Sequence, residues 1–258
     1  MSRTIKITFL GTGTSQGIPV IACDCEVCRS TDPRDKRLRA SLMLETGENV
    51  FVIDTGPDFR QQMLRHHVQN LSAVLFTHEH KDHVAGLDDV RSFNFKLGRS
   101  IDIYAEKRVQ RALKREYAYI FARYKYPGVP DIKMNLLKNE TFAINGTQFI
   151  PIRALHQRLP VFGFRTGGFA YLTDVKSVPE EEISKLDDLD IMVITALRKE
   201  KHISHMCLDE ALSFIEKIGP GKAYLTHLSH RFGLHEKEEK NLPENVFIAY
   251  DSLQLSLP

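Results

Sequence analysis

The stretch Ala73-Val74-Leu75-Phe76-Thr77-His78-Glu79-His80-Lys81-Asp82-His83 sets the reading of the whole chain. It opens as an apolar run of the kind that becomes a buried strand. It closes with three imidazoles and the Asp82 carboxylate inside six residues, from His78 to His83. Imidazole and carboxylate are the donor types that zinc and related divalent metals take. A loop at the C-terminal end of a strand is free to curl around ions. Four donors divided between two ions leave both shells open, so distant donors are required. The competing reading, a chance polar loop, sits badly directly after a buried strand.

Distant donors appear at the ends of later apolar runs. His156 follows residues 149–155, Asp174 follows residues 169–173 and His227 follows residues 223–226. Each alone would read as a capping aspartate or a packed histidine. Three of them at strand ends, where the first cluster also sits, read as one ligand set.

The rest of the pattern supplies the strands that these donors need. Short β-type runs cover residues 5–10, 42–45, 50–53 and 73–77, then 142–144, 148–155, 162–165, 169–173, 191–196, 223–226 and 246–250. Helical spacing covers residues 58–68, 84–95 and 208–218, and hairpin punctuation falls at Gly47, Asn145-Gly146 and Gly167-Gly168. The fold class expected is α/β, an αββα sandwich of two packed mixed sheets with helices on the outer faces. No Gly/Ser/Pro-rich linker divides the chain, so residues 1–258 read as a single domain. One segment stands apart: residues 107–126 hold seven basic residues against one acid, Glu116. The spacing of Val109, Leu113, Tyr117, Ile120 and Tyr124 makes it a basic helical insertion at about 106–126. It is either an amphipathic helix with a solvated basic face or a cap over a site that receives an anion.

Composition bounds the function. With 258 residues, 42% hydrophobic and 26% charged, the chain is ordinary globular material, which excludes disordered, collagenous and low-complexity classes. A net charge of +2, from 35 basic against 33 acidic residues, implies neither nucleic acid nor acidic lipid. The start, from Met1, alternates polar and apolar residues without a signal-peptide core, and no apolar run approaches the ~20 residues of a spanning helix. The expectation is a cytoplasmic chain with no membrane partner, where disulfides are not expected. Three of the four cysteines, Cys23, Cys25 and Cys28, crowd together, which there points to metal. His230, in Thr226-His227-Leu228-Ser229-His230, is the best fourth ligand for a structural zinc, because that segment can send one histidine to each site. Reduced cysteines with no ligand role are the alternative.

His78-x-His80-x-Asp82-His83, with His156, Asp174 and His227 in order, resembles the metallo-β-lactamase superfamily of binuclear hydrolases over essentially the whole chain. Asp54-Thr55-Gly56 is similar to that superfamily's early Asp-x-Gly turn, whose aspartate supports a ligating loop. The resemblance implies that His78, His80 and His156 hold one ion, that Asp82, His83 and His227 hold the other, and that Asp174 bridges. The glycine-rich segment Gly11-Thr12-Gly13-Thr14-Ser15-Gln16-Gly17-Ile18-Pro19, the cysteine cluster and Thr-His-Leu-Ser-His resemble the phosphoribosyl 1,2-cyclic phosphate phosphodiesterase (PhnP-like) branch. That branch implies a further functional histidine, for which His205 fits best, with His202 three residues away as the other candidate. The basic segment matches no functional motif of the family.

The expected activity is that of a metal-dependent phosphoric diester hydrolase using two zinc or manganese ions and one structural zinc. A hydroxide bridging the two metals attacks a cyclic phosphodiester, Asp174 manages the proton, and His205 assists the leaving alkoxide. The partner expected is a small phosphodiester. A nucleic-acid partner, as in tRNA 3′-processing endoribonucleases, is less favoured, a thioester or lactam hydrolase is a further rival, and a homodimer is left open. Rival motifs are weak: Gly11, Gly13 and Gly17 do not make G-x-G-x-x-G, and no Walker lysine follows. Cys207 reads as a helix-packing residue, and His66, His67 and His235 as solvated.

Overall fold

A computed structural model describes residues 4–257; Met1 to Arg3, the head of the N-terminal alternation, lie outside the described residues. The first sheet is built from β1 (Ile5–Gly11), β2 (Ser41–Thr46), β3 (Asn49–Ile53), β4 (Ala73–Leu75), β5 (Ile101–Glu106) and β6 (Ile132–Leu137). The second follows with β7 (Phe142–Ile144), β8 (Thr147–His156), β9 (Leu159–Thr166), β10 (Phe169–Leu172), β11 (Ile191–Thr195), β12 (Lys222–Thr226) and β13 (Val246–Ile248). β14 (Gln254–Leu257) returns to the first sheet, giving the orders β14-β1-β2-β3-β4-β5-β6 and β13-β12-β11-β10-β9-β8-β7. Each sheet is half antiparallel and half parallel, so both are mixed, as expected.

The period-2 alternation of the strands sorts side chains into three apolar layers. Phe9, Leu42, Phe51 and Leu75 face Phe149, Phe162, Phe164 and Tyr171 between the sheets. Their odd-phase neighbours Leu10, Met43, Val52 and Val74 face outward and are covered by three helices, α2 (Phe59–Arg65), α4 (Arg91–Leu97) and α5 (Lys107–Glu116). On the far side, Met192, Ile194, Ala223 and Leu225 are covered by α6 (Leu208–Ile218). Three short helices, α1 (Glu26–Arg29), α3 (Lys81–Val84) and α7 (His235–Glu239), lie in loops.

Three expectations change. Strands β5, β6 and β14 are present where no run was expected. The helix expected over residues 84–95 is broken at Ala85-Gly86 into α3, a 3-10 turn and α4, because Gly86 passes against the Gly56 carbonyl, where any Cβ would stand 2.2 Å from the oxygen. The basic segment is helical only to Glu116, followed by a 3-10 turn over Ala118–Phe121 and irregular chain.

The topology gathers the ends of β3, β4, β8, β10 and β12 on one edge. Within the second sheet β8 and β10 are both antiparallel to β9, which turns their C-terminal ends the same way. The Phe162 amide donates to the Thr77 carbonyl at 3.0 Å, tying the two sheets together there. No helix among the described residues is long and apolar enough to cross a membrane.

Candidate metal centre

β4 is short because the chain turns away at Phe76 to begin the donor loop, and Asp54 receives that turn. Its carboxylate accepts from the Thr77 amide at 2.9 Å and the Thr77 hydroxyl at 2.7 Å, and lies 2.7 Å from His83 Nδ1. Gly56 fits the same turn against α3: a Cβ there would stand 2.2 Å from the Asp82 carbonyl oxygen. Asp54, Asp174 and His227 all have positive φ, 66°, 57° and 57°, in the left-handed region that non-glycine residues seldom enter. Each costs about 1–3 kcal/mol and is kept where surrounding contacts over-determine it, a pattern concentrated at functional sites.

The hydrogen bonds behind the rings decide which nitrogen faces the centre. His78 Nδ1 is 2.9 Å from Thr77 Oγ1, whose proton goes to Asp54, so the ring is the donor. His83 Nδ1 donates to Asp54, and His156 Nδ1 donates to the Ser204 carbonyl at 2.8 Å. In their neutral form all three therefore offer an Nε2 lone pair inward, the arrangement by which outer partners orient metal-ligating histidines. His78 Nε2, His83 Nε2 and both ring nitrogens of His227 are buried without an aligned hydrogen bond among the described residues. Left so, such atoms are costly, and cations at the centre would satisfy the Nε2 atoms.

Asp174 is the hub. One carboxylate oxygen lies 3.1 Å from both His83 Nε2 and His227 Nε2, and the other lies 3.1 Å from His205 Nε2. Asp82 stands 3.2 Å from His83 Nε2. Two tight donor groups result: Asp82, His83, Asp174 and His227, and His156, Asp174 and His205. His78 and His80 border the second group, with ring centroids 5.9 Å and 5.1 Å from His156 and 4.6 Å from each other. The structure thus brings every expected donor to one place and adds His205 to the side assigned to His78, His80 and His156. His202 stays further out, its Nδ1 3.2 Å from the outer nitrogen of His205.

The electrostatics favour a cation. Burial opposes charge on His83, but Asp174, Asp82 and Asp54 outweigh it and raise its pKa well above the ordinary value. Burial also raises Asp54, while His227 and His83 overcome burial at Asp174 and hold it well below the carboxylate range. Burial keeps His78 and His156 neutral, His156 down to about 4, so both are free to ligate at neutral pH.

Elsewhere, Cys23, Cys25 and Cys28 converge on His230 Nδ1, at 3.2, 3.4 and 3.6 Å. Those separations match about the edge of a tetrahedral shell with bonds of roughly 2.0–2.3 Å. Against burial, bonds from the Cys28 amide and from Cys23 and His230 lower Cys25 to about 6, whereas burial pushes Cys28 up to about 11. His235, expected to be solvated, is buried at 1% exposure against Arg37 and the Tyr250 ring. Its neighbours in sequence are polar, but the Arg37 side chain comes from 198 residues away. Sequence reasoning also passed over Thr77 and Ser204, the orienting partners above; only their adjacency to His78 and His205 marks them.

Residues 49–228, which contain every donor of the buried centre, match the family model of the beta-lactamase superfamily domain. An octanoyltransferase from Porphyromonas gingivalis is 39% identical over 254 residues, 97% of this chain and 51% of that protein. A ribonuclease Z from Nostoc sp. is 26% identical over 165 residues, 62% of this chain and 46% of that one. The chain spans about half the length of these curated relatives. Among solved structures, a diphosphatase from the PhnP family is 38% identical with a TM-score of 0.93, covering 98% of this chain and 97% of that one. Zn(2+)-bound PqqB from Methylobacterium extorquens shares the fold, with a TM-score of 0.77 at 18% identity over 98% of this chain and 100% of that one. The chain belongs to the beta-lactamase superfamily and has the metallo-β-lactamase fold.

Proposed function

We propose that the chain is a binuclear phosphodiesterase acting on a small, cyclic phosphodiester such as a phosphoribosyl cyclic phosphate. The observation that carries this is the buried Asp174 carboxylate, which offers one oxygen to His83 and His227 and the other towards His205. In this reading His78, His80 and His156 hold one ion, Asp82, His83 and His227 the other, and Asp174 serves both. Zinc or manganese fits these donors. A bound pair of such ions supplies Lewis acidity, charge neutralisation at phosphoryl oxygens and an acidified water.

The chain's own groups do the rest. Asp54 fixes the tautomer of His83 directly and that of His78 through Thr77. His205, hydrogen-bonded to Asp174 and 9% exposed, donates a proton to the departing alkoxide. An open depression of about 430 Å³, lined by His80, His156, Gln157, Arg158, Leu159 and Ser204, adjoins the centre. Its size suits a compact substrate. Arg158 forms no ion pair among the described residues, which leaves its guanidinium for a second anionic group on the substrate. Kinship to a PhnP-family diphosphatase across nearly the whole chain supports hydrolytic chemistry at phosphorus. Cys23, Cys25, Cys28 and His230 hold a structural zinc. Acyl transfer through a thiol finds no support at the centre, since Cys207 is buried at the start of α6 and the other cysteines face His230.

A second reading, RNA processing, draws on exposed Lys107, Arg111 and Lys114 and on exposed Tyr124 and Tyr126 of the same segment. Metal analysis with a panel of cyclic ribose phosphate, linear diesters, precursor tRNA and a thioester separates the readings. Cyclic phosphodiester turnover with two active-site ions is the result expected. Cleavage of precursor tRNA that falls steeply with salt selects the second reading, and hydrolysis of the thioester alone overturns both.

A further inference from the structure

The basic segment has an inward-facing member. α5 is anchored by Val109 and Leu113 to the apolar layer over the first sheet, yet polar contacts at both its ends run to the donor loop. At its N-terminal end Arg108 sends one guanidinium nitrogen to Glu79, which lies between His78 and His80. The other donates to the Pro160 carbonyl at 2.5 Å. Pro160 pairs with Leu155, the residue before His156. Glu106, just before the helix, pairs with Arg153 of β8 at 2.8 Å, and Arg153 lies 4.2 Å over the Phe162 ring. At the C-terminal end, Glu116 pairs with Lys81 at 2.6 Å and the Tyr117 hydroxyl donates to the Val84 carbonyl at 2.8 Å. The Tyr119 hydroxyl reaches Asp88.

We infer that Arg108 is a positioning residue: it locks the loop carrying His78 and His80 against the hairpin carrying His156, with α5 as its rigid mount. This rests on the reading of those three histidines as ligands of one ion. An arginine is required because one planar fork must meet two acceptors on separate elements at once, which a point-charge ammonium does not do. The second Glu79 oxygen is buried with no partner, so Arg108 is what compensates that carboxylate among the described residues. Without it, an uncompensated charge is driven towards solvent and carries the two histidines with it.

The test uses the full chain loaded with zinc or cobalt. Arg108→Gln, Arg108→Lys and Glu79→Gln are compared with Arg111→Gln, an exposed site on the same helix. Chelator competition and the cobalt absorption spectrum read the metal sites without reference to turnover. Arg108→Gln should weaken one of the two active-site ions by roughly 10–100-fold, the range for lost outer-shell support, and shift its spectrum. The second ion and the cysteine-bound ion should keep their affinities. Glu79→Gln should reproduce the effect without leaving a buried charge, and so tests the idea even if Arg108→Gln folds poorly. Arg108→Lys should restore part of it, and Arg111→Gln none. Parental affinity and spectrum in both Arg108→Gln and Glu79→Gln would overturn the inference. His80→Ala and His156→Ala supply the separate check: if they leave metal content unchanged, the ligand assignment itself fails.

Discussion

Two donor clusters lie three residues apart in sequence at the end of β12, where His227 enters one and His230 the other, and they are built in opposite ways. The buried centre takes donors from both sheets. His78 and His83 are fully buried and Asp174 is 2% exposed. Its geometry is held by carboxylates, hydroxyls and left-handed backbone that the main core has to stabilise. The cysteine cluster sits on a small apolar island of Ile18, Val27 and Cys28, with Val20 and Leu234 packed on it. There the donors themselves hold the loop in place. One site spends core stability to aim donors; the other substitutes for a core that is too small. Removing a residue should therefore damage chemistry at the first site and stability at the second.

The largest effect expected is at His205. If it is the acid for the leaving alkoxide, His205→Ala lowers turnover by about 10²–10⁴-fold while both active-site ions stay bound. Its place within the tight group with His156 and Asp174 allows a sharper outcome. Loss of an ion in metal analysis of the variant would move His205 from the acid to the ligand set.

Much of this contrast was legible in the chain itself. Donors at the ends of apolar runs, and three cysteines between residues 23 and 28, are local patterns that survive folding. Most of what was missed depends on partners distant in sequence. β5 has a clean in-out alternation from Ile101 to Glu106 that could have been found, but β6 exposes Lys133 and Leu136 at the sheet edge and reads as loop. His235 looks solvated among charged neighbours until Arg37 and Tyr250 cover it. The basic segment looked like a surface feature because the contacts that turn it inward, Arg108 to Glu79 among them, join residues far apart in sequence, 29 in that pair.

A smaller effect on the same side tests whether aim or ligation dominates. Asp54 touches no substrate; it orients Thr77 and His83 from behind. Asp54→Asn keeps the volume but weakens the acceptor for both, and should cost roughly 10–100-fold in active-site metal affinity or turnover. Metal titration should find the cysteine cluster unchanged. Equal weakening at both clusters would mean that the variant acts through general unfolding, and the contrast would collapse.

The smallest effect on turnover, and the clearest on stability, is expected at Cys25. Its thiol lies 3.4 Å from His230 Nδ1, and Ser keeps the size while removing a thiolate. Its hydrogen bonds run to the Cys28 amide and His230 and none reaches the His78–His83 loop among the described residues, so two active-site ions and near-parental turnover should remain. The tie between residues 23–28 and the end of β12 is lost, and each ~1 kcal/mol lost lowers Tm by about 2–4 °C in a chain of this size. Calorimetry at fixed zinc reads this directly. An unchanged Tm with one ion fewer would mean that the small core suffices unaided. A large fall in turnover with two active-site ions still bound would show instead that the glycine-rich segment, paired through Gly13 with Leu228 beside His227, transmits the cysteine site's geometry to the buried centre.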